Sequence, residues 1–202
     1  MKSAFYIFLL VLITTNSPAQ KTRQISIAFM NAASDKPFAK FGELVTDIHH
    51  PGIEFGYAFN WKTKPKHDLY QEIKLGYFYH RFVQHAIPLY TAIGYRYKVS
   101  DRWSAQAAIG IGYMHSIPAT AQLKLESNGE YTNAKGIGRM QGLAVFNISG
   151  SHTLKIKKSQ PKKLFITYQQ IIQTPFINAY VPLLPYNSLL LGISIPLKSN
   201  EK

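Results

Sequence analysis

Glu54, Glu72, Lys74 and Arg96 occupy positions of one parity along three neighbouring segments of the chain. Two carboxylates beside two cations can do acid–base work, pass protons, or neutralise one another as an ion-pair network. Their charges cancel, and inside a barrel just wide enough to be filled by side chains a structural network is the expected role, with a proton or ion path as the alternative. Five of the seven histidines, His49, His50, His80, His85 and His115, gather at the ends of alternating segments on one side. Imidazoles in such a rim can hold zinc, copper or haem iron. No H-E-x-x-H spacing occurs, and parity sends His80 and His115 to opposite faces, so a solvated rim is expected and a ligand site is the alternative.

Cysteine is absent, which removes thiol nucleophiles, thiolate metal sites and disulfides together. His115-Ser116 and Ser151-His152 are adjacent pairs, and neighbours on a strand point opposite ways, so neither forms a nucleophile with its base. Ser116 with His115 or His80 and a loop carboxylate such as Asp47 stays as the enzymatic alternative, because loops escape parity. Gly110-Ile111-Gly112 sits inside an alternating segment with no helix after it and is no phosphate loop. No catalytic residue and no cofactor are expected.

The elements that carry these residues alternate with period two. Gly52 to Trp61 sets Ile53, Phe55, Tyr57, Phe59 and Trp61 against Glu54, Gly56, Ala58 and Asn60. Leu69 to Tyr79, Pro88 to Val99 and Trp103 to His115 repeat the asymmetry, with large apolar residues on one face and small or polar ones on the other. Ser188 to Leu197 reads as a closing strand and Gln24 to Phe29 as an opening one. Arg139 to Lys157 and Leu164 to Thr174 supply two more with poorer alternation. Glycines 56, 76, 94, 110 and 112 all fall on the small-residue face, where they admit close packing. Tyr57, Trp61, Tyr77, Tyr95 and Trp103 fall on the large-residue face, many near strand ends, as in the aromatic girdles of a membrane barrel.

Residues 1–19 have the layout of a secretory leader: Lys2, the nine-residue apolar run Phe5 to Ile13, then small residues at Ser17 and Ala19. Cleavage is expected after Ala19, leaving Gln20 to Lys202 as one domain of 183 residues. No later window reaches 18 consecutive apolar residues, so a membrane location has to use strands. Strands satisfy their backbone in hydrocarbon only by closing on themselves. The expected fold is therefore all-β, an antiparallel up-and-down transmembrane β-barrel of about eight strands. A soluble lipocalin-like barrel or sandwich is the competing fold.

Connections should alternate short and long, with both termini on the short-turn side. Charge follows the same division. The turns, strand ends and termini on that side hold 14 lysines and arginines against 6 in the long loops, for net charges of +11 and +1. Basic residues beside a membrane attract anionic phospholipid, and an acidic protein partner is the alternative account. Nucleic acid is not expected of an exported chain without a binding motif.

The exported start, the eight alternating runs, and Gln173-Thr174-Pro175-Phe176 with Tyr180-Val181-Pro182-Leu183-Leu184-Pro185 resemble small outer-membrane β-barrel proteins of Gram-negative bacteria. The resemblance implies a cell outer-membrane location among phospholipid and lipopolysaccharide, with a protein partner at the basic turns or in the membrane. It implies a structural or interaction role more than an activity. Ligand-uptake and lipid A-modifying barrels are the functional alternatives. The chain departs from the pattern at its end, where Ile195-Pro196-Leu197 and a polar tail replace the terminal aromatic of typical assembly signals.

Overall fold

The computed structural model describes residues 22–34, 49–121, 123–133, 135–154, 161–176 and 182–197. The expected leader with its cleavage site, Asp47, and Lys157 lie outside the described residues.

Among the described residues ten strands follow one another: β1 (Arg23–Ser34), β2 (Pro51–Thr63), β3 (His67–His80), β4 (Gln84–Lys98), β5 (Trp103–Pro118), β6 (Leu123–Leu125), β7 (Tyr131–Asn133), β8 (Arg139–Leu154), β9 (Lys162–Thr174) and β10 (Leu184–Leu197). Eight close into an antiparallel barrel in the order β1-β2-β3-β4-β5-β8-β9-β10, and β10 pairs back onto β1. The short strands β6 and β7 form a separate hairpin. In-register partners such as Ile53↔Tyr77, Ile73↔Thr91 and Thr91↔Ile111 keep one parity across successive strands. A slip of one residue would turn every apolar side chain inward, so the pattern fixes the register.

The outward face is apolar. Phe29 is 73% exposed, Ile109 67% and Leu191 65%, side chains that a protein surface in water rarely shows in a continuous belt. Polar side chains interrupt this face, among them two internally bonded pairs. Gln71 Nε2 donates to Thr91 Oγ1 at 2.9 Å, and the Tyr168 hydroxyl donates to Asn187 Oδ1 at 2.8 Å.

Inward residues fall into tiers. An apolar tier of Met30, Phe78, Pro88, Met114, Ile171 and Leu190 is buried between a polar tier toward the loop end and a charged one toward the turn end, where β1 begins and β10 finishes.

Three strands run four or five residues past their expected ends. β1 continues to Ser34, β4 starts at Gln84 and β10 at Leu184. There the inward positions are serine, glutamine and tyrosine, so the apolar alternation lapses while the ladder continues through Ser34↔Tyr186 and Gln84↔Pro118. As a result only Arg81 to Val83 connects β3 and β4, and the expected alternation of short and long connections is not kept there. The β6–β7 hairpin lies in the span expected as plain loop. Its turn has Gly129 at φ +82°, a left-handed conformation that glycine adopts without a Cβ penalty, and Glu126 N–H donates to Glu130 O at 2.9 Å.

Candidate functional site

Glu54 stands at the centre of the charged tier. Lys74 Nζ lies 2.9 Å from Glu54 Oε1 and 3.5 Å from Glu72 Oε1. The Tyr90 hydroxyl donates to Glu54 Oε2 at 2.7 Å, and Gln169 Nε2 lies 3.2 Å from Glu54 Oε2 and 2.7 Å from the Tyr90 oxygen. Strands β2, β3, β4 and β9 are thus tied together across the interior. Lys74 Nζ and both Glu54 oxygens gain charge-assisted partners, without which their burial would cost several kcal/mol, by the usual order of magnitude, while Gln169 Oε1 is buried without a hydrogen-bond partner.

Three of the four expected network residues, Glu54, Glu72 and Lys74, meet in this tier. Arg96 joins a second cluster nearer the turn end. Its Nη1 is 3.4 Å from Asp68 Oδ2, its Nε donates to Gln106 Oε1 at 3.0 Å, and its guanidinium carbon sits 4.8 Å from the centre of the Tyr70 ring. Lys98 Nζ completes the cluster, 2.7 Å from Asp68 Oδ1. The cause is register: Asp68 is directly opposite Arg96 on the β3–β4 ladder. Asp68 was expected in a turn, yet its even number places it on the same face as Glu72 and Lys74, and that parity was the available signal.

Between these clusters lies a polar cavity of about 50 Å³ to which all eight barrel strands contribute. Ser149 bonds Thr167 at 2.8 Å, Ser104 bonds Ser151 at 2.7 Å, and Ser194 donates to Gln24 at 3.2 Å around its wall.

At the loop end a glutamine cluster closes over the apolar tier. Gln84 Nε2 lies 2.6 Å from Gln173 Oε1 and 2.9 Å from the Tyr186 hydroxyl. Gln173 and Ser116 both donate to Gln141 Oε1, and Gln141 Nε2 donates to Pro175 O at 2.6 Å. No spacing rule flags uncharged amides, so the sequence gives no advance sign of this cluster. Ser116 points inward to Gln141, whereas His115 points outward, accepting from the Tyr113 hydroxyl at 2.8 Å and donating Nε2–H to Ile137 O at 2.9 Å. The adjacent Ser–His pair therefore faces opposite sides of the wall.

The rim histidines divide. His50 and His80 stack with ring centres 3.7 Å apart and planes 6° from parallel, both buried. Ser34 Oγ is 3.1 Å from His80 Nε2, while both ring nitrogens of His50 and Nδ1 of His80 have no hydrogen-bond partner. Both rings lie at the loop end of the barrel, past the outward Tyr77 and Tyr79. Burial holds the His50 imidazole below its ordinary range, with Arg81 and His49 adding to the effect. Burial and the neighbouring His50 push His80 down to about 4. His49 accepts from Asn31 Nδ2 at 3.2 Å, and His85 turns outward to the Tyr77 hydroxyl at 2.9 Å. Among the described residues no three His, Cys, Asp or Glu side chains converge as metal ligands. The two stacked rings direct their nitrogens along parallel planes, not at a shared point.

No protein-family model matches the chain, and no curated protein does. Among solved structures it is similar to Neisserial surface protein A at 7% identity, with 89% of this chain and 98% of that one covered and a TM-score of 0.49. It is similar to the outer membrane enzyme PagL at 10% identity, covering 86% and 99% with a TM-score of 0.48. It is also similar to Ail, the attachment invasion locus protein of Yersinia pestis, at 10% identity, covering 88% and 97% with a TM-score of 0.47. The architecture described above rests on this chain's own strand pairing.

Proposed function

We propose that this chain is a non-enzymatic barrel of a Gram-negative outer membrane, with a structural or interaction role and no open path through its lumen. The observation that carries the proposal is the combination of an apolar outward belt with an interior cross-linked from β2 to β9 through Glu54, Tyr90 and Gln169. A belt of large apolar side chains on a closed barrel suits lipid, since closure leaves no unpaired strand edge in hydrocarbon. The turn end with its basic excess faces the periplasm and the anionic phospholipid of the inner leaflet, each basic residue near that surface contributing roughly 1 kcal/mol. A periplasmic protein with an acidic face would dock on the same surface. The loop end, with the β6–β7 hairpin, meets lipopolysaccharide and the exterior.

Membrane fractionation with a heat-modifiable gel shift tests the location, and planar-bilayer recording tests the lumen. The expected result is an outer-membrane band that migrates faster unheated, with no conductance steps. Recovery of the protein wholly from the soluble periplasm would end the membrane assignment. Lipid A mass spectra from cells with and without the gene should be identical, and an acyl-chain difference would replace the structural role with an enzymatic one.

A further inference from the structure

The polar cavity at the turn end carries one positive charge more than its carboxylates balance: Glu54, Glu72 and Asp68 stand against Lys74, Arg96, Lys98 and Lys163. Arg96 and Lys98 share a single carboxylate, Asp68. Lys163, inward on β9 and lining the same cavity, feels Arg96, Lys98 and Asp68, and no described carboxylate comes within ion-pair distance of it. With Lys74 held by Glu54 and Glu72, and Arg96 and Lys98 sharing Asp68, Lys163 is the cation that no ion pair among the described residues meets, and a half-buried ammonium so placed is unfavourable unless an anion joins it.

We propose that this cavity binds one phosphate-type oxyanion, held between Lys163 and Arg96 among the hydroxyls of Ser149, Ser151 and Thr167. The site rests on the closed-lumen proposal, because the Glu54–Lys74 tier forms its ceiling. Size fits a small ion: about 50 Å³ corresponds to roughly four water-sized volumes, enough for a tetrahedral oxyanion and too little for a lipid chain. The donors suit it too. Gln106 engages Arg96 Nε and Asp68 engages Nη1, leaving Nη2 to donate to an oxyanion, and serine and threonine hydroxyls rotate to donate. Basic residues at the mouth, Lys62, Lys64, Lys66 and Arg102, raise the local anion concentration. A cation meets net positive charge there, and an apolar ligand meets hydroxyls. The oxyanion comes either as free phosphate or as the phosphate of a lipid headgroup reaching in from the membrane.

The test is a titration of the refolded full-length protein in maltoside micelles with inorganic phosphate, chloride keeping the ionic strength constant. Calorimetry should show saturable binding of one phosphate per barrel. Lys163→Gln should weaken it at least tenfold, while Lys162→Gln, which changes the outward neighbour, should leave it unchanged. Amide shifts in nitrogen-labelled wild-type protein should appear at Ser149, Ser151 and Thr167. Non-saturable heat, equal losses from both lysine variants, or shifts confined to the turns would overturn the site and leave only rim attraction. Should Lys163→Gln fail to give the folded gel band, the wild-type shifts decide alone. Short-chain phosphatidylglycerol that displaces phosphate would identify the headgroup as ligand, and failure to displace it would identify the free ion. Conductance in planar bilayers would count against the closed lumen while leaving the phosphate titration readable, so the two proposals fail separately.

Discussion

The Tyr90 hydroxyl on β4 donates to the Glu54 carboxylate on β2 at 2.7 Å, across a strand that separates their backbones. Ladder bonds join only neighbours, so this contact braces the barrel through its interior. Tyr90→Phe keeps the ring and removes the bond, leaving Glu54 Oε2 with Gln169 alone. A loss of about 1.5–3 kcal/mol is expected, the usual range for a hydrogen bond to a charged group. It would be read as a lower urea midpoint for the heat-modifiable band, and an unchanged midpoint would remove the brace.

The outward pair Gln71 and Thr91 offers a comparison of one partner lost against both. Thr91→Val leaves the buried Gln71 amide without its acceptor and should cost about 1–3 kcal/mol. Gln71→Leu with Thr91→Val removes both polar groups and should recover most of that loss. Unfolding titrations of the three proteins give the comparison directly.

Acid should loosen the loop-end rim. The imidazole of His80 titrates near 6.5 when opened to water and near 4 in place, and that of His50 is also lowered. Between those values the opened form binds more protons than the closed form, so stability falls as pH drops from about 6.5 to about 4 and falls no further below. Ser34, Phe82, Tyr186, His49 and Arg81 surround the stack, and none carries a negative charge to offset protonation. The Val83 amide, bonded to His80 O at 3.0 Å, is the local reporter: its hydrogen exchange should quicken through this window. His50→Phe should keep the ring stack and reduce the pH dependence, leaving the part that burial of His80 contributes.

Gly94 has no room for a side chain. A Cβ there would overlap the Tyr70 ring, on which the Arg96 guanidinium stacks. Gly94→Val should cost about 1–3 kcal/mol by overpacking. Tyr70→Ala in the same chain should return part of that loss, and a double-mutant cycle on unfolding midpoints measures the coupling.

The legible part of this chain was its wall. Strands β2 to β5 announce themselves because large outward side chains alternate with small inward ones, a consequence of the two-residue period. The ends of β1, β4 and β10 were obscured because polar residues such as Ser34, Gln84 and Tyr186 take inward positions there. The interior was half legible. Glu54, Glu72 and Lys74 share a parity and meet, but pairing Arg96 with Asp68 requires the β3–β4 register, which sequence alone does not supply. The glutamine cluster depends on β9 facing β4 and β8 through the closed barrel, a relationship between residues as distant as Gln84 and Gln173. Parity likewise anticipated that Ser116 and His115 part company, and gave no hint that His50 would stack on His80.

The ladder between β1 and β10, from Arg23↔Leu197 to Ser34↔Tyr186, joins residues separated by nearly the whole chain. Such a seam forms only after the last strand has been delivered, because nothing local can substitute for it. Until then β1 offers an open edge of unpaired amides and carbonyls, the kind of surface that recruits strands from other molecules. The period before closure is therefore when this chain most needs an escort, and a β1-like peptide added during refolding should compete for β10 and trap an open sheet.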